Sequence, residues 1–402
     1  MKNLNAQLKN IIQHKGPITF EKYMDLCLYW PNGGFYTNEN KIIKNDYYTS
    51  PMAHPTFGAL IALYLQSLWA TIKNQKTFMV LEIGAGNFQL AKDITSYSKN
   101  LLPQFNDSLE YITLDIRKPQ QDFNNKFSTI LSNEIPFNKF EGVIILNEVF
   151  DAFPFHRITK SNQELKEIYV DMIDGQFVEI HGPISTENIT TFINQQDITL
   201  EENQTIEISL KSNAYLKSLA TILNSGIILN IDYGDTSRNL LSKFKNGSLS
   251  CYYQHTMSKN PYINPGYQDI TSHVNFTGLI NTAKENNLES SDMITQREFL
   301  YNLGFEKFIS GLGNLPLTQS EIHSNRMGML NLVDPNGLGN FKTLIHSKNI
   351  DISNINVLKT NTELNNIVEK YPIPLLKDYH IDLFQAKYPY QNQNWDDLFE
   401  IN

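Results

Sequence analysis

Four groups of acid and amide side chains close short apolar runs in this chain: Glu82 in "LEIGAG", Asp115 in "EYITLD", Asn147-Glu148 in "LNEVFDAFP" and Asp232 in "LNIDYGD". Such runs read as strands, and open α/β sheets bind ligands at the carboxyl ends of their strands, beside a topological switch point. Gly84, Ala85 and Gly86 follow the first run directly and lead into an amphipathic stretch. A glycine loop set between strand and helix usually grips a ligand. The dinucleotide fingerprint needs a third glycine three positions after the second, and Gln89 stands there. The loop has no lysine for phosphates, and Asp115 lies 29 residues past Gly86, beyond the roughly 20 of that motif.

A ring of negative and amide groups repels a pyrophosphate. It suits a ligand with an ammonium group, a positive sulfur and ribose hydroxyls, and S-adenosylmethionine is such a ligand. On that reading Glu82, Gly84, Ala85, Gly86 and Asn147 line the cofactor. The glycines admit close backbone approach, and Asp115 accepts hydrogen bonds from the ribose. The alternatives left open by these residues are a nicotinamide-dinucleotide site, or acids that only cap helices and turns.

The elements that position these groups follow from hydrophobic spacing. Residues 4–13 and 18–29 read as helices, the second stopped by Pro31-Asn32-Gly33-Gly34. "KNDYYTSPMAHP" reads as an irregular loop, and residues 56–73 as a strongly apolar helix. Then comes a βαβ series, with a strand at 78–83, a helix at 88–99, a strand at 110–115 and a buried strand at 142–146. This alternation predicts a parallel, doubly wound α/β sheet. Residues 165–210 carry short β-like runs and read as an inserted antiparallel edge or cap. Residues 245–275 are rich in aromatics, Gly and Pro, as substrate loops often are.

A chain of 402 residues is too long for one typical domain. The net charge of -9, with no block of lysine or arginine, argues against nucleic acid as a partner. Two cysteines without C-x-x-C spacing offer no metal site and no disulfide framework. No signal peptide, transit peptide or long apolar stretch is legible, so the expectation is a cytoplasmic protein that does not span a membrane.

Nine stretches, taken together and in order, resemble the MidA-like family of S-adenosylmethionine-dependent methyltransferases: "GPITFEKYMDLCLY", "GGFY", "DYYTSP", "LEIGAG", "GVIILNEVFDAFPFHRI", "IDYG", "PGYQDITSHVNFTGL", "TQREFLYNLGF" and "GLGNFKTL". The resemblance runs from about Gly16 to Lys348. The chain departs from the family pattern at Asn87-Phe88 and at "DIRKPQQ". The resemblance implies a class I methyltransferase (Rossmann-like) seven-stranded sheet with inserted and C-terminal substrate-binding elements. It also implies transfer to an arginine of a protein partner, as in the mitochondrial complex I assembly member. The expected division is a helical segment and cofactor lid at 1–75, a cofactor-binding core at 76–164 and a β-rich cap at 165–210. A core helix and strand at 211–235, substrate loops and closing strands at 236–354, and a tail at 355–402 complete it.

A guanidinium starts protonated and needs carboxylates to align its fork and polarise one nitrogen. Glu148 is expected to orient the acceptor, Asp151 to assist and Asn147 to face the cofactor. Thr49, Ser50 and Pro51 are candidates for a cofactor lid. Asp232, Tyr233, Gln268, Asp269 and Thr271 are candidates for holding the acceptor. His255 and His273 are considered as bases, with a structural role the commoner outcome. The rival readings are a small-molecule methyltransferase and an inactive assembly protein on the same scaffold. A homodimer stays open.

Overall fold

The computed structural model describes residues 4–31, 33–38, 48–72, 76–118, 127–254, 256–351, 368–377 and 380. His255, residues 44–47 of the expected loop, the "PQQ" of the second-strand exit and most of the tail lie outside the described residues.

We number the strands of the central sheet in chain order: β1 (Phe78–Ile83), β2 (Leu109–Asp115), β3 (Phe127–Leu131), β4 (Phe140–Asn147), β5 (Leu223–Asp232), β6 (Glu289–Ser290), β7 (Ile294–Thr295) and β8 (Lys342–Lys348). Their spatial order is β6-β8-β5-β4-β1-β2-β3, with β7 also paired to β8. β1 to β5 run parallel, whereas β8 pairs antiparallel both with β5 and with its two short partners β6 and β7. The chain winds outward from β1 to β3 and then returns to lay β4 on the other side of β1. The switch point therefore falls between the tips of β1 and β4, where an open sheet binds its ligand.

The sheet is mixed and has eight strands where seven were expected. The difference lies at one edge. Ser290 pairs with His346 and Ile294 with Thr343, so four steps on one chain meet three on the other. That extra residue is a bulge, and it breaks the edge into two pieces.

The sheet is buried on both faces. Alternate residues of β5 face opposite cores: Ile227, Leu229 and Ile231 enter one apolar cluster, Ile228 the other. Each such side chain contributes about 1.5–3 kcal/mol on burial. Helix Thr56–Thr71 is apolar around its whole circumference and lies inside the first cluster. Gly58 lets it approach the helix that follows the glycine loop, Gln89–Tyr97: a Cβ there would stand 2.6 Å from Asp93 Cβ.

The cap is an antiparallel sheet of Ile18–Thr19, His156–Ser161, Glu164–Ile173, Gln176–Gly182 and Thr205–Ile208. It begins at His156, before the boundary expected at residue 165, and it recruits Ile18–Thr19 from the N-terminal segment. Its hairpins turn at Asn162-Gln163 and Asp174-Gly175, where both central residues have positive φ, the signature of a type I′ turn. Helices Leu4–Lys15 and Phe20–Tyr29 pack with Phe155, Val170, Leu249 and Ile270, so the N-terminal segment joins the cap. The expected substrate loops contain a three-stranded sheet of Ser250–Tyr253, Thr256–Ser258 and Asp269–Thr271. Part of the tail straps the core: Val368 is buried, Tyr97 donates to Pro372 O (2.8 Å), and His380 Nε2 lies 3.2 Å from buried Asp93.

Candidate active site

The chain leaves β1 through Gly84 (φ +71°) and Gly86 (φ +56°), both in the left-handed region that favours glycine. Gly84 N donates to Leu114 O (2.9 Å), which ties the loop to β2. Asp115 accepts from Gly86 N at Oδ2 (2.8 Å) and from Arg117 N at Oδ1 (2.9 Å). Its first visible job is thus to shape the loop, a role the sequence reading missed. Each oxygen keeps a further lone pair for a ligand hydroxyl. Burial pushes its pKa up, against the pull of those N–H groups.

Phe88 occupies the left-handed region too (φ +62°) and is held there by burial and by stacking on Phe127, with ring centres 6.4 Å apart. Asn87 Oδ1 accepts from Gln89 N (3.1 Å), so the unusual Asn87-Phe88 pair starts the helix. Ala85 is buried and its carbonyl accepts from Phe88 N (2.7 Å). Glu82 is also buried and accepts from Tyr111 Oη (2.8 Å), with burial raising its pKa to about 8. Glu82 therefore belongs to the interior, and the expectation that it lines the cofactor is corrected.

At the neighbouring tip the backbone of Glu148 is itself left-handed (φ +53°), and its N–H donates to Ile231 O (2.9 Å). A long side chain in that region marks strain of the kind stored at functional sites. Asp232 holds the turn: one oxygen accepts from Val149 N (3.2 Å) and Phe150 N (3.0 Å), the other from Tyr233 N (2.9 Å). Asp232 has no exposed surface, so it positions the turn, a correction to its expected place in the acceptor site.

Asp151 follows in a short 3₁₀ turn and accepts from Tyr233 Oη (2.6 Å). Its other oxygen is buried without a partner, as is Asn147 Oδ1. Asn147 Nδ2 donates to Glu148 Oε1 (3.2 Å). Asp269 accepts from Tyr36 Oη (2.9 and 2.8 Å) and from Ile270 N (3.0 Å). Burial raises the pKa of Glu148 to about 8, with Asp151 adding to it. Burial likewise raises Asp151 to about 6 and Asp269 to about 7, and it drives Asp232 well up. Asp151 adds to the rise at Glu148, Asp232 and Asp269, while the Arg117 guanidinium offsets part of it at Asp269.

The segment expected as a lid does reach this tip. The backbone N–H of Ser50 pulls the pKa of the Glu148 carboxyl down, against its burial. Ser50 Oγ donates to Gln296 Oε1 (2.9 Å), and Gln296 Nε2 to Leu332 O (2.9 Å). Pro51 opens the same buried helical turn, Ser50–Ala53; Thr49 makes no capping bond. Gln268 is buried and donates to Asn260 O (3.1 Å), so it braces its own loop. Thr271 is buried in the small sheet. His273 packs its ring on Tyr233 and Phe244, and burial lowers its pKa to about 4, which marks a structural histidine. Tyr36, Arg117 and Gln296 were missed as site residues. "GGFY" was the available signal for Tyr36, and it was seen only as a landmark.

A family model described as "Putative S-adenosyl-L-methionine-dependent methyltransferase" matches residues 60–294. The chain is 28% identical over 342 residues to the Caenorhabditis elegans "Protein arginine methyltransferase NDUFAF7 homolog, mitochondrial", covering 76% of this chain and 77% of that protein. It is 26% identical to the human protein arginine methyltransferase NDUFAF7, covering 73% and 72%. A crystal structure from Burkholderia thailandensis, bound to S-adenosyl-homocysteine, superposes with a TM-score of 0.76 at 26% identity, covering 87% of this chain and 92% of the other.

The residues fit that group. Gly84 and Gly86 are exposed, and the nearest atom to a Cβ built on Gly86 is Gly84 O at 4.0 Å, so the space above the loop is open. The orphaned Asn147 Oδ1 offers an acceptor at the adjoining tip. The expectation of a cytoplasmic protein is overturned by relatives that are named mitochondrial. Two reduced cysteines signal a reducing environment and do not tell one such compartment from another. Among the described residues no helix is long and apolar enough to cross a membrane. With an α/β methyltransferase fold, a glycine loop at its switch point and a family match over more than half its length, this chain belongs to the MidA-like family and is an S-adenosylmethionine-dependent methyltransferase.

Proposed function

We propose that the methyl acceptor is an arginine side chain of a protein partner, received by Glu148 and Asp151. One observation carries the reading: two carboxylates three residues apart at one strand tip, Glu148 half-buried and Asp151 buried with one oxygen that has no partner. The names of the relatives support it. S-adenosylmethionine supplies the activated methyl group when bound, so the protein has mainly to orient the acceptor and exclude water. Gly84, Ala85, Gly86, Asp115 and Asn147 would hold it, under a lid formed by Ser50 and Pro51.

A guanidinium has a pKa above about 12 and enters charged. Glu148 gives up its proton to solvent as it arrives, because its charge offsets the burial that keeps that carboxyl neutral, whereas Asp151 is already largely ionised near pH 7. Glu148, now ionised, then fixes the fork, polarises the nitrogen that faces the cofactor and takes the proton that this nitrogen loses as its bond to the methyl forms. Tyr233, held by Asp151, and Asp269, held by Tyr36, form the wall of the acceptor cleft.

The test is transfer of labelled methyl into a lysate lacking this protein. The wild-type enzyme should label a protein on arginine, and Glu148→Gln should lose about 100-fold or more of that rate while binding S-adenosylhomocysteine normally. Equal labelling by both proteins sinks the role given to Glu148, and label found off arginine sinks the acceptor.

A further inference from the structure

Arg117 stands two residues beyond Asp115 and makes contacts in both directions. Its backbone N–H donates to Asp115 Oδ1 (2.9 Å), whose other oxygen holds Gly86 N (2.8 Å). Its side chain runs to the opposite side of the site. Nε donates to Tyr36 O (2.6 Å), Nη2 to Phe35 O (3.1 Å), and the guanidinium lies 5.0 Å from the centre of the Tyr36 ring. Tyr36 Oη then donates to both oxygens of Asp269. The Tyr36 ring stacks on Tyr29 (5.5 Å), and Tyr29 Oη donates to Ala152 O (3.0 Å), the residue after Asp151. Unbroken contacts therefore join the glycine loop to two carboxylates of the acceptor cleft.

We infer that Arg117 is a positioning residue that sets the cofactor half of the site and the acceptor half in one register. The rigid guanidinium fork holds two consecutive carbonyls of the Phe35-Tyr36 turn at once, which anchors the exit of β2 and with it the N–H that orients Asp115. The same grip aims Tyr36 at Asp269. An ammonium can replace the charge but cannot hold both carbonyls in that geometry. Only the acceptor half of the inference rests on the arginine reading above.

The test measures S-adenosylhomocysteine binding by calorimetry in wild type, Arg117→Lys, Arg117→Ala and Tyr36→Phe. It then measures binding of N-acetyl-arginine methylamide to each loaded protein. Both Arg117 variants should bind S-adenosylhomocysteine about tenfold more weakly, the worth of one lost charged hydrogen bond. Tyr36→Phe should leave that affinity within about twofold and weaken the arginine amide by about three- to tenfold. In the Arg117→Lys/Tyr36→Phe double variant the loss of amide affinity should fall short of the product of the single losses. Unchanged S-adenosylhomocysteine affinity in folded Arg117→Lys overturns the inference, and so does a strictly multiplicative double variant. Should Arg117→Ala unfold, the lysine variant carries the test. If wild type ignores the arginine amide, the acceptor reading falls, while the S-adenosylhomocysteine arm still decides the role of Arg117.

Discussion

Asp115 and Asp151 stand past the tips of β2 and β4, the two strands that flank β1; they are equally buried and differ in company. Asp115 spends its two oxygens on backbone N–H groups of the loop it shapes. Asp151 has one phenol on one oxygen and nothing on the other. A buried polar group left unpaired costs about 1–3 kcal/mol, and Asp151 Oδ1 bears that cost where Asp115 does not. On the proposed reading, the contrast separates a loop already tied to its acid from a carboxylate that a cationic acceptor would complete.

The most severe break is Glu148→Gln. Methyl transfer should fall about 100-fold or more, with S-adenosylhomocysteine affinity unchanged by calorimetry; a parallel loss of both would erase the division between the halves. Next is pH. Glu148 is raised to about 8, Asp269 to about 7 and Asp151 to about 6 by burial. Carboxylates of the unfolded chain ionise near pH 4, so between about pH 4 and 8 the folded protein holds more protons. Its stability must therefore fall as pH rises through that window and level off above it. Urea melts of the ligand-free protein should show a clear fall in stability from pH 5 to 8.5, to which Glu82 also contributes, and the fall should be smaller in Glu148→Gln; equal falls in the two proteins would mean that Glu148 is already balanced.

A finer probe compares the two loop glycines. Alanine at either positive φ costs about 1–2 kcal/mol. Gly84→Ala also meets Val149 Cγ2 at 3.0 Å, whereas Gly86→Ala points into open space. The first should lose more in urea melts, and the second should lose S-adenosylhomocysteine affinity out of proportion to its stability. The smallest effect expected is Ser50→Ala, which strands Gln296 Oε1 and should cost about 1 kcal/mol in the same melts, with the pull of the residue 50 N–H on Glu148 kept.

What was legible in the sequence was local. β1, its glycine loop and the tip of β4 announce themselves through apolar runs that end in Gly or in paired polar residues. β3 was missed because "KFSTIL" is a half-exposed strand without clear alternation. Asp232 was misassigned because an acid or amide at a strand tip has the same sequence signature whether it faces a ligand or braces a turn. Arg117 was out of reach for another reason: its partners lie 81 and 82 residues away, on a turn whose position depends on the cap. The N-terminal helices were correctly expected, yet their docking on the cap depends on Val170 and Ile270, which no local pattern could disclose.

The pairing of Ile18–Thr19 with Tyr169–Val170 has a consequence for biosynthesis. At ribosomal speeds of about 5–20 residues per second, the nascent N-terminus waits roughly 10–30 seconds for its partner strand to be made. Meanwhile the apolar flanks of its two helices have nothing to rest on. Newly made chains should therefore lean on a holding chaperone during that interval.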